Sequence, residues 1–150
     1  MRIDGMPMRF RMRLLLALAF SMGFATAATA ADYASAISAY RRAHGLSVVK
    51  ADGRLAAVAL KQAQAMAASG TITHSVGGQF SSRVAPLRKS RAAENIGAGF
   101  LTFAEMLKQW EASRGHRENL LMPGARRVGV ASAANPKSPY RKFWAMVITD

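Results

Sequence analysis

Apolar residues recur at three- and four-residue intervals in two segments of the first half of the chain, which is the spacing of amphipathic helices. The first segment begins at Asp32, the expected N-cap, and runs to about His44 before Gly45. Asp52 is expected to cap the second and longest helix, which closes at Gly70. The predicted inward stripe of this helix consists of Leu55, Ala59, Leu60, Ala63 and Met66. The pattern therefore predicts two packed helices before residue 71.

A third helix is predicted after residue 101, because Thr102 and Glu105 have the spacing of a capping box. In this motif the two side chains bond to backbone amides that a helix start leaves unpaired. Gly115 is expected to end the helix, and 116–121 to form a further short one. The inward face is expected to carry Phe103, Leu107 and Trp110.

Weaker patterns connect the helices. Residues 71–92 are polar and irregular, with a short turn of helix expected at 80–84. The segment 92–96 is predicted to be either extended or a single helical turn, and 47–50 a connector.

The last quarter of the chain has the pattern of β-strands. Small and apolar residues alternate over 128–132, and 143–149 is apolar on both faces, as in a central strand covered on each side. A proline-containing loop, 135–139, joins the two most simply as a hairpin. Helices first and strands last predict an α+β fold, with helices on both faces of a small antiparallel sheet.

Residues 1–30 predict a secretory signal peptide, since four arginines precede an apolar run at 14–24. Both 25–27 (Ala-Thr-Ala) and 28–30 (Ala-Thr-Ala) are small-x-small cleavage signals. We expect cleavage after Ala30, which leaves one domain over 31–150, secreted to the extracellular space or periplasm, with no transmembrane span. An uncleaved anchor is the alternative, although a membrane-spanning helix needs about 20 apolar residues.

The composition excludes cysteine chemistry and favours anionic partners. The chain has no cysteine, so disulfides, zinc-thiolate sites and cysteine nucleophiles are absent. The leader contains four of the 21 basic and one of the eight acidic residues, which leaves 17 basic, seven acidic and a formal charge of +10. Such a charge favours lipids or anionic cell-envelope components as partners. The basic residues occur in ones and twos without interleaved aromatics, so we predict no specific nucleic-acid partner.

Five short motifs follow one another along the predicted domain. They are Y-R-R-A-H-G-L at 40–46, M-A-A-S-G-T-I-T-H ending at His74, A-E-N-I at 93–96, W-x-x-S-R-G-H-R-x-N-L-L at 110–121 and R-V-G-V at 127–130. In this order and spacing they resemble the CAP superfamily, the SCP-like extracellular proteins, and bacterial members in particular. The resemblance covers about residues 37–148. It implies an α-β-α sandwich with a central cleft, and we expect a monomer.

The resemblance also implies a tetrad of histidines and glutamates in that cleft. His74, Glu94 and His116 match three of the four positions. The fourth, a glutamate in animal and plant members, falls on Ser113, as it tends to in bacterial members. The departure weakens the expectation of a complete metal-binding set.

The chemistry of these residues leaves several hypotheses open. His74 and His116 are the expected ligands of a divalent metal such as zinc, with Glu94 completing a set that suits it. The same three residues are as readily explained as a hydrogen-bonded network that fixes loops to helices. Ser113 with His116 and Glu94 permits a hydrolase interpretation, which is weaker because no G-x-S-x-G motif is present.

The favoured hypothesis is a secreted, non-catalytic binding or interaction module for a lipid or an envelope ligand. The resemblance implies this, because members of the CAP superfamily bind sterols, lipids or protein partners. The alternative is a metal-dependent or serine-based hydrolase that uses the same cleft. No cofactor beyond a divalent metal is suggested.

Overall fold

The computed structural model describes residues 28–150, which contain five α-helices and one four-stranded sheet. In chain order the elements are α1 (Ala30–Ala43), β1 (Lys50–Ala51), α2 (Gly53–Ser69), α3 (Phe80–Val84) with a 3-10 turn (Ala85–Leu87), β2 (Ala92–Ala98), α4 (Phe103–Ala112), α5 (Arg114–Leu120), β3 (Arg127–Ala134) and β4 (Lys142–Thr149). The predicted leader lies outside the described residues except for its last three. None of the helices in 28–150 combines the length and the apolar character required to cross a bilayer.

The sheet has the strand order β1-β3-β4-β2. β4 lies between β3 and β2 and is antiparallel to both, as the predicted hairpin and central strand require. The segment after residue 91, for which two conformations were open, is the extended edge strand β2. β1 pairs in parallel with β3, so the sheet is mixed at this edge. The prediction of a connector over 47–50 was therefore wrong for Lys50, which begins β1. A two-residue strand is too short to show an alternating pattern in the sequence.

Alternate residues of β4 face opposite layers of helices. Trp144, Met146 and Ile148 pack in one core with α1, α4 and α5. Phe143 and Val147 pack in a second core with α2 and Ile96 of β2. Two cores on the two faces of one sheet give the α-β-α sandwich that was predicted. The α2 stripe is buried as expected apart from Leu60, which is 39% exposed.

α2 lies directly against β3 at Gly129. A Cβ atom at Gly129 would overlap the backbone of Leu55 and Ala56 in the first turn of the helix. The amide of Asp52, the N-cap of α2, also donates to the carbonyl of Val128 at 2.9 Å. Glycine at this strand position therefore permits a helix–sheet approach that any side chain would prevent.

Most predicted helix ends are confirmed, and two are wrong. Asp52 caps α2, and Thr102 with Glu105 forms the capping box of α4. The cap of α1 is Thr29, and Asp32 is the reciprocal partner in a capping box three residues later. The break after α4 occurs at Ser113, whose backbone is extended, while Gly115 lies inside α5. In both cases a polar residue at a neighbouring position provides the helix end.

Candidate functional site

The carboxylate of Glu94 lies at the edge of the sheet and is almost fully buried. Arg83 Nη1 donates to Glu94 Oε2 at 2.7 Å, and Nη2 donates to Oε1 at 2.9 Å. The remaining guanidinium donors reach backbone carbonyls, with Nε on Gly78 at 2.9 Å and Nη2 also on His74 at 2.9 Å. A buried carboxylate is thus paired with a buried, planar cation in two-point geometry.

His74 lies on the turn after α2 and contacts the same carboxylate. Its Nδ1 is 2.9 Å from Glu94 Oε1, while the side chain remains 56% exposed. Gln62 of α2 fixes the turn, because its amide donates to the carbonyl of Thr73 at 2.5 Å and accepts from the amide of Gly77 at 3.1 Å. The ring therefore presents its far nitrogen, Nε2, away from Glu94.

His116 lies in α5, which two asparagines attach to β2. Asn95 Nδ2 donates to the carbonyl of His116 at 3.0 Å, and Asn119 Nδ2 donates to Asn95 Oδ1 at 2.9 Å. The His116 ring lies beside Trp110, with ring centroids 6.5 Å apart. Its Nδ1 is buried without a hydrogen-bond partner among the described residues. Burial, and secondarily the charge of His74, lower the pKa of His116 below its ordinary value.

A cavity of about 250 Å³ adjoins His116 between β2 and α4. Its lining is mostly apolar and consists of Ile72, Ile96, Gly97, Ala98, Phe100, Met106, Gln109 and His116. Gln109 Oε1 is a second buried polar atom that no group in residues 28–150 satisfies. Buried polar atoms normally have a partner, so two such atoms on residues that line one cavity require an explanation.

Ser113 is the junction between α4 and α5, with an extended backbone that ends one helix and begins the next. Its side chain makes no capping bond to α5. Among residues 28–150 the His116 Nδ1 is likewise free of any hydrogen bond, including one to this serine. The structure therefore places Ser113 at the start of the helix that carries His116, without a nucleophile–base hydrogen bond to Nδ1.

The residues present do not fit a three-ligand metal site that includes Glu94. Both Glu94 oxygens are engaged by Arg83, and one also by His74. Within 28–150 no group of three or more histidine, aspartate or glutamate side chains has a metal-binding arrangement. Two imidazoles remain, one fewer than the three protein ligands of catalytic zinc sites.

Sequence reasoning missed two contributors to this site. Arg83 precedes Glu94 by 11 residues and lies in a five-residue helix, so no periodicity links the pair. Gln109 lies in α4 between the inward-facing Leu107 and Trp110, and a polar residue in such a helix is normally predicted to face solvent. Only the approach of β2 to α4 places its amide at the cavity.

Comparisons with known proteins agree with this fold. The model of the CAP family, described as the cysteine-rich secretory protein family, matches residues 34–148. None of the curated protein sequences compared with the chain matches it significantly. Among solved structures, an extracellular protein with an SCP domain from Bacillus anthracis is 25% identical, with a TM-score of 0.67 over 78% of this chain and 38% of its own.

Two further solved structures share the fold at lower identity. An outer surface protein from Borrelia burgdorferi is 20% identical, with a TM-score of 0.68 over 79% of this chain and 88% of its own. A cysteine-rich secretory protein from Staphylococcus aureus is 17% identical, with a TM-score of 0.63 over 78% of this chain and 36% of its own. This chain thus spans little more than a third of the Bacillus and Staphylococcus proteins. With the family model covering most of its length, the chain belongs to the CAP family of cysteine-rich secretory proteins, although it contains no cysteine.

Proposed function

We propose that this domain is a secreted, non-catalytic binding module whose ligand enters the cavity beside His116. The ligand is an amphipathic, lipid-like molecule that has a hydroxyl group at the end that enters the cavity. The observation that supports this is the pair of buried, unpartnered atoms, Gln109 Oε1 and His116 Nδ1, on two residues that line an otherwise apolar cavity. A hydroxyl both donates and accepts, so one group satisfies the glutamine oxygen and the Nδ1–H tautomer of the imidazole.

The size of the cavity limits what it takes. At about 250 Å³ it lies below the range of about 300–1,000 Å³ that encloses a drug-sized ligand. It therefore accepts one end of a longer molecule, such as a lipid or an amphipathic envelope component. Export, which the CAP relatives described as extracellular or outer-surface proteins favour for this chain, would bring the domain to such ligands.

The engagement of Glu94 supports binding over hydrolysis. A general base must accept a proton from a nucleophile or a water, and this carboxylate instead has both oxygens on Arg83. Ser113 lacks a hydrogen bond to His116 Nδ1. The His74–Glu94–Arg83 contacts are those of a network that positions a loop, with His74 at its exposed end.

Titration of intrinsic fluorescence tests the proposal, because Trp110 lies beside His116 and donates to the carbonyl of Ile96 at the cavity wall. The probes are a medium-chain fatty alcohol and the alkane of equal length. The alcohol should bind more tightly, and Gln109→Leu should reduce that preference about fivefold, the loss expected for one hydrogen bond of about 1 kcal/mol. Gln64→Leu, an exposed glutamine of α2, is the matched control. Equal binding of alcohol and alkane by the wild-type protein would contradict the proposal.

A divalent ion between His74 and His116 is the second candidate, favoured by one contact. A histidine that binds a metal commonly donates its other ring nitrogen to a carboxylate, and His74 Nδ1 faces Glu94 Oε1 in this way. Calorimetry with zinc is the test, with His116→Ala as the variant and His44→Ala as the control. An isotherm that His116→Ala leaves unchanged would place any bound zinc elsewhere.

A further inference from the structure

Two arginine-containing pairs that are 38 residues apart in the sequence line one recess of the surface. The recess, of about 630 Å³, lies between the Arg88–Lys89 turn and the Arg126–Arg127 segment that enters β3. A second recess of about 260 Å³ is lined by Val48, Lys50 and the same two arginines, so it lies beside the first. We call the five cations together the basic strip: Lys50, Arg88, Lys89, Arg126 and Arg127.

The pairing of β1 with β3 brings Lys50 next to the two arginines at the start of β3. β1 and β3 are in parallel register with Lys50 opposite Arg127, and the amide of Lys50 donates to the carbonyl of Arg126 at 2.9 Å. Like charges directly opposite one another on adjacent strands are destabilising. Among residues 28–150, none of the strip's side chains takes part in an ion pair with a carboxylate side chain. Within the described domain, no ion pair therefore relieves the repulsion between Lys50 and Arg127.

The one acidic residue at the strip is already engaged. Asp150 accepts from the Ser90 hydroxyl and from the amide of Arg91, and Lys89 Nζ donates to its backbone carbonyl at 3.2 Å. These contacts attach the end of the described chain to the turn after α3. They leave the guanidinium groups of Arg88, Arg126 and Arg127 without an anionic partner there.

We propose that the basic strip binds a linear phosphate-bearing polymer, which it recognises through the phosphates alone. The two recesses share Arg126 and Arg127 and so lie next to each other, an arrangement that suits successive phosphates on a chain better than one isolated anion. The lining includes no aromatic side chain on which a nucleic-acid base could stack. Val48 is its one exposed large apolar residue, too little to anchor the strip in a bilayer.

This site goes beyond the function proposed above, because the basic strip and the cavity beside His116 share no lining residue. In the sequence these basic residues occur singly and in pairs, whereas in the fold they lie on one surface. Part of the net positive charge of the chain is therefore concentrated at the basic strip.

Calorimetric titration with inorganic polyphosphate at several salt concentrations tests the proposal. The wild-type protein should bind with an affinity that falls as salt rises, because binding releases the counterions of the phosphates. Arg126→Gln/Arg127→Gln should weaken binding at least about tenfold and reduce the salt slope by about 1 to 2. Lys61→Gln/Lys137→Gln removes the same charge from exposed positions outside the strip and should change affinity less than about twofold. Gln109→Leu should leave polyphosphate binding unchanged, which separates this site from the cavity.

Two further probes identify the ligand class. An abasic deoxyribose-phosphate oligomer should bind as tightly as the oligothymidylate of equal length, since the strip contacts phosphates only. Tighter binding of the oligothymidylate would overturn the proposal in favour of base contacts. Binding to phosphatidylglycerol vesicles without binding to polyphosphate would overturn it in favour of a membrane surface. Equal losses in the two double variants would also overturn it, since net charge alone would then explain the attraction.

The stability of the variants provides the control for folding. At low salt Arg126→Gln/Arg127→Gln should melt no lower than the wild-type protein, because the change removes the repulsion between Arg127 and Lys50. A variant that melts higher and binds less shows that the cluster serves a ligand. A variant that melts well below the wild-type protein would show a structural role for these arginines and contradict the proposal.

Discussion

Arg83 and Glu94 form a two-point ion pair inside the protein, with N–O distances of 2.7 and 2.9 Å and side chains that are 4% and 1% exposed. The same guanidinium bonds to the carbonyls of His74 and Gly78. Arg83 therefore attaches the loop that carries His74 to the sheet, in addition to the contact of His74 with Glu94 and the bonds of Gln62 to the same turn. We expect Arg83 to help position the His74 ring.

Removal of Arg83 should be costly. Arg83→Ala leaves the Glu94 carboxylate buried beside only a histidine, and a buried ion pair broken in this way costs about 3–5 kcal/mol. We expect a loss of that size in the free energy of unfolding measured with urea. Arg114→Ala removes an arginine from the exposed pair with Glu118 and should cost less than about 1 kcal/mol.

A double replacement separates stability from positioning. Arg83→Met/Glu94→Leu removes both charges at once and should recover most of the loss, because apolar residues of similar volume replace buried ion pairs at little cost. The NMR signals of the His74 ring should nevertheless shift, because the variant removes the carboxylate that contacts its Nδ1. A double variant as unstable as Arg83→Ala would show that the carbonyl contacts of Arg83, and not its charge, stabilise the loop.

The sequence predicted the layers of this fold better than the internal contacts of its site. Asp52, Gly70 and the Thr102–Glu105 box are local signals, because a cap and its helix lie within four residues of each other. The run 143–149 predicted a strand covered on both faces because burial on two sides leaves no polar alternation. Arg83 gave no such signal, since its pairing with Glu94 depends on how a loop folds back over an edge strand.

The same limit applies to charge. Arg88–Lys89 and Arg126–Arg127 occur as separate pairs along the chain, and only the parallel pairing of the two-residue strand β1 adds Lys50 to their surface. A strand of that length has no periodicity to detect. Residues 74, 94 and 116 could be assigned to one site only because the motifs around them resemble a known family. Intervals of 20 and 22 residues do not by themselves predict that side chains meet in the fold.

His116 should make the domain less stable as the pH falls. Its pKa in the folded protein is lowered, first by burial and second by His74, so the unfolded chain takes up a proton that the folded one resists. Stability is therefore retained above the ordinary histidine value of 6.5 and lost as the pH decreases from there towards the lower folded pKa. Urea unfolding between about pH 8 and 5, with a chelator present, measures the slope.

His116→Gln should flatten that slope, since glutamine does not titrate. His44→Gln is the matched control, because the His44 ring lies at the exposed end of α1, where its Nδ1 is 2.9 Å from the carbonyl of Tyr40. An unchanged slope in His116→Gln would assign the pH dependence to other groups.

Gly129 should tolerate no side chain. Gly129→Ala would drive a methyl group into the backbone of Leu55 and Ala56, so either α2 must move away from β3 or the strand must bend. We expect a loss of about 3 kcal/mol, the upper part of the usual range for an overpacked core. Gly115→Ala is the control, because a Cβ atom there meets nothing within 4 Å and the residue is helical. That change should be neutral or stabilise by up to about 1 kcal/mol.

The cap of α1 bears on where the mature chain begins. Thr29 and Asp32 bond reciprocally, with the Thr29 amide and hydroxyl donating to Asp32 Oδ2 at 2.7 and 2.8 Å. Cleavage after Ala30 removes this box and leaves a new ammonium group beside the positive end of the helix, whereas cleavage after Ala27 retains it. For the predicted cleavage of the leader we therefore propose a start at Ala28 in place of Ala31, which the intact mass of the processed protein would test.

Stability should differ between the two starts. A chain from Ala31 should melt a few degrees below one from Ala28, and Thr29→Ala in the longer chain should reproduce much of that loss while Thr29→Ser should not. The bonds from the Thr29 amide and then its hydroxyl lower the pKa of Asp32, so their contribution is present above the ordinary value of 3.8 and is lost as the pH falls through the folded value. The two chains should accordingly converge in strong acid. If they melt together at neutral pH, the Thr29 box does not stabilise α1, and the case for a start at Ala28 fails with it.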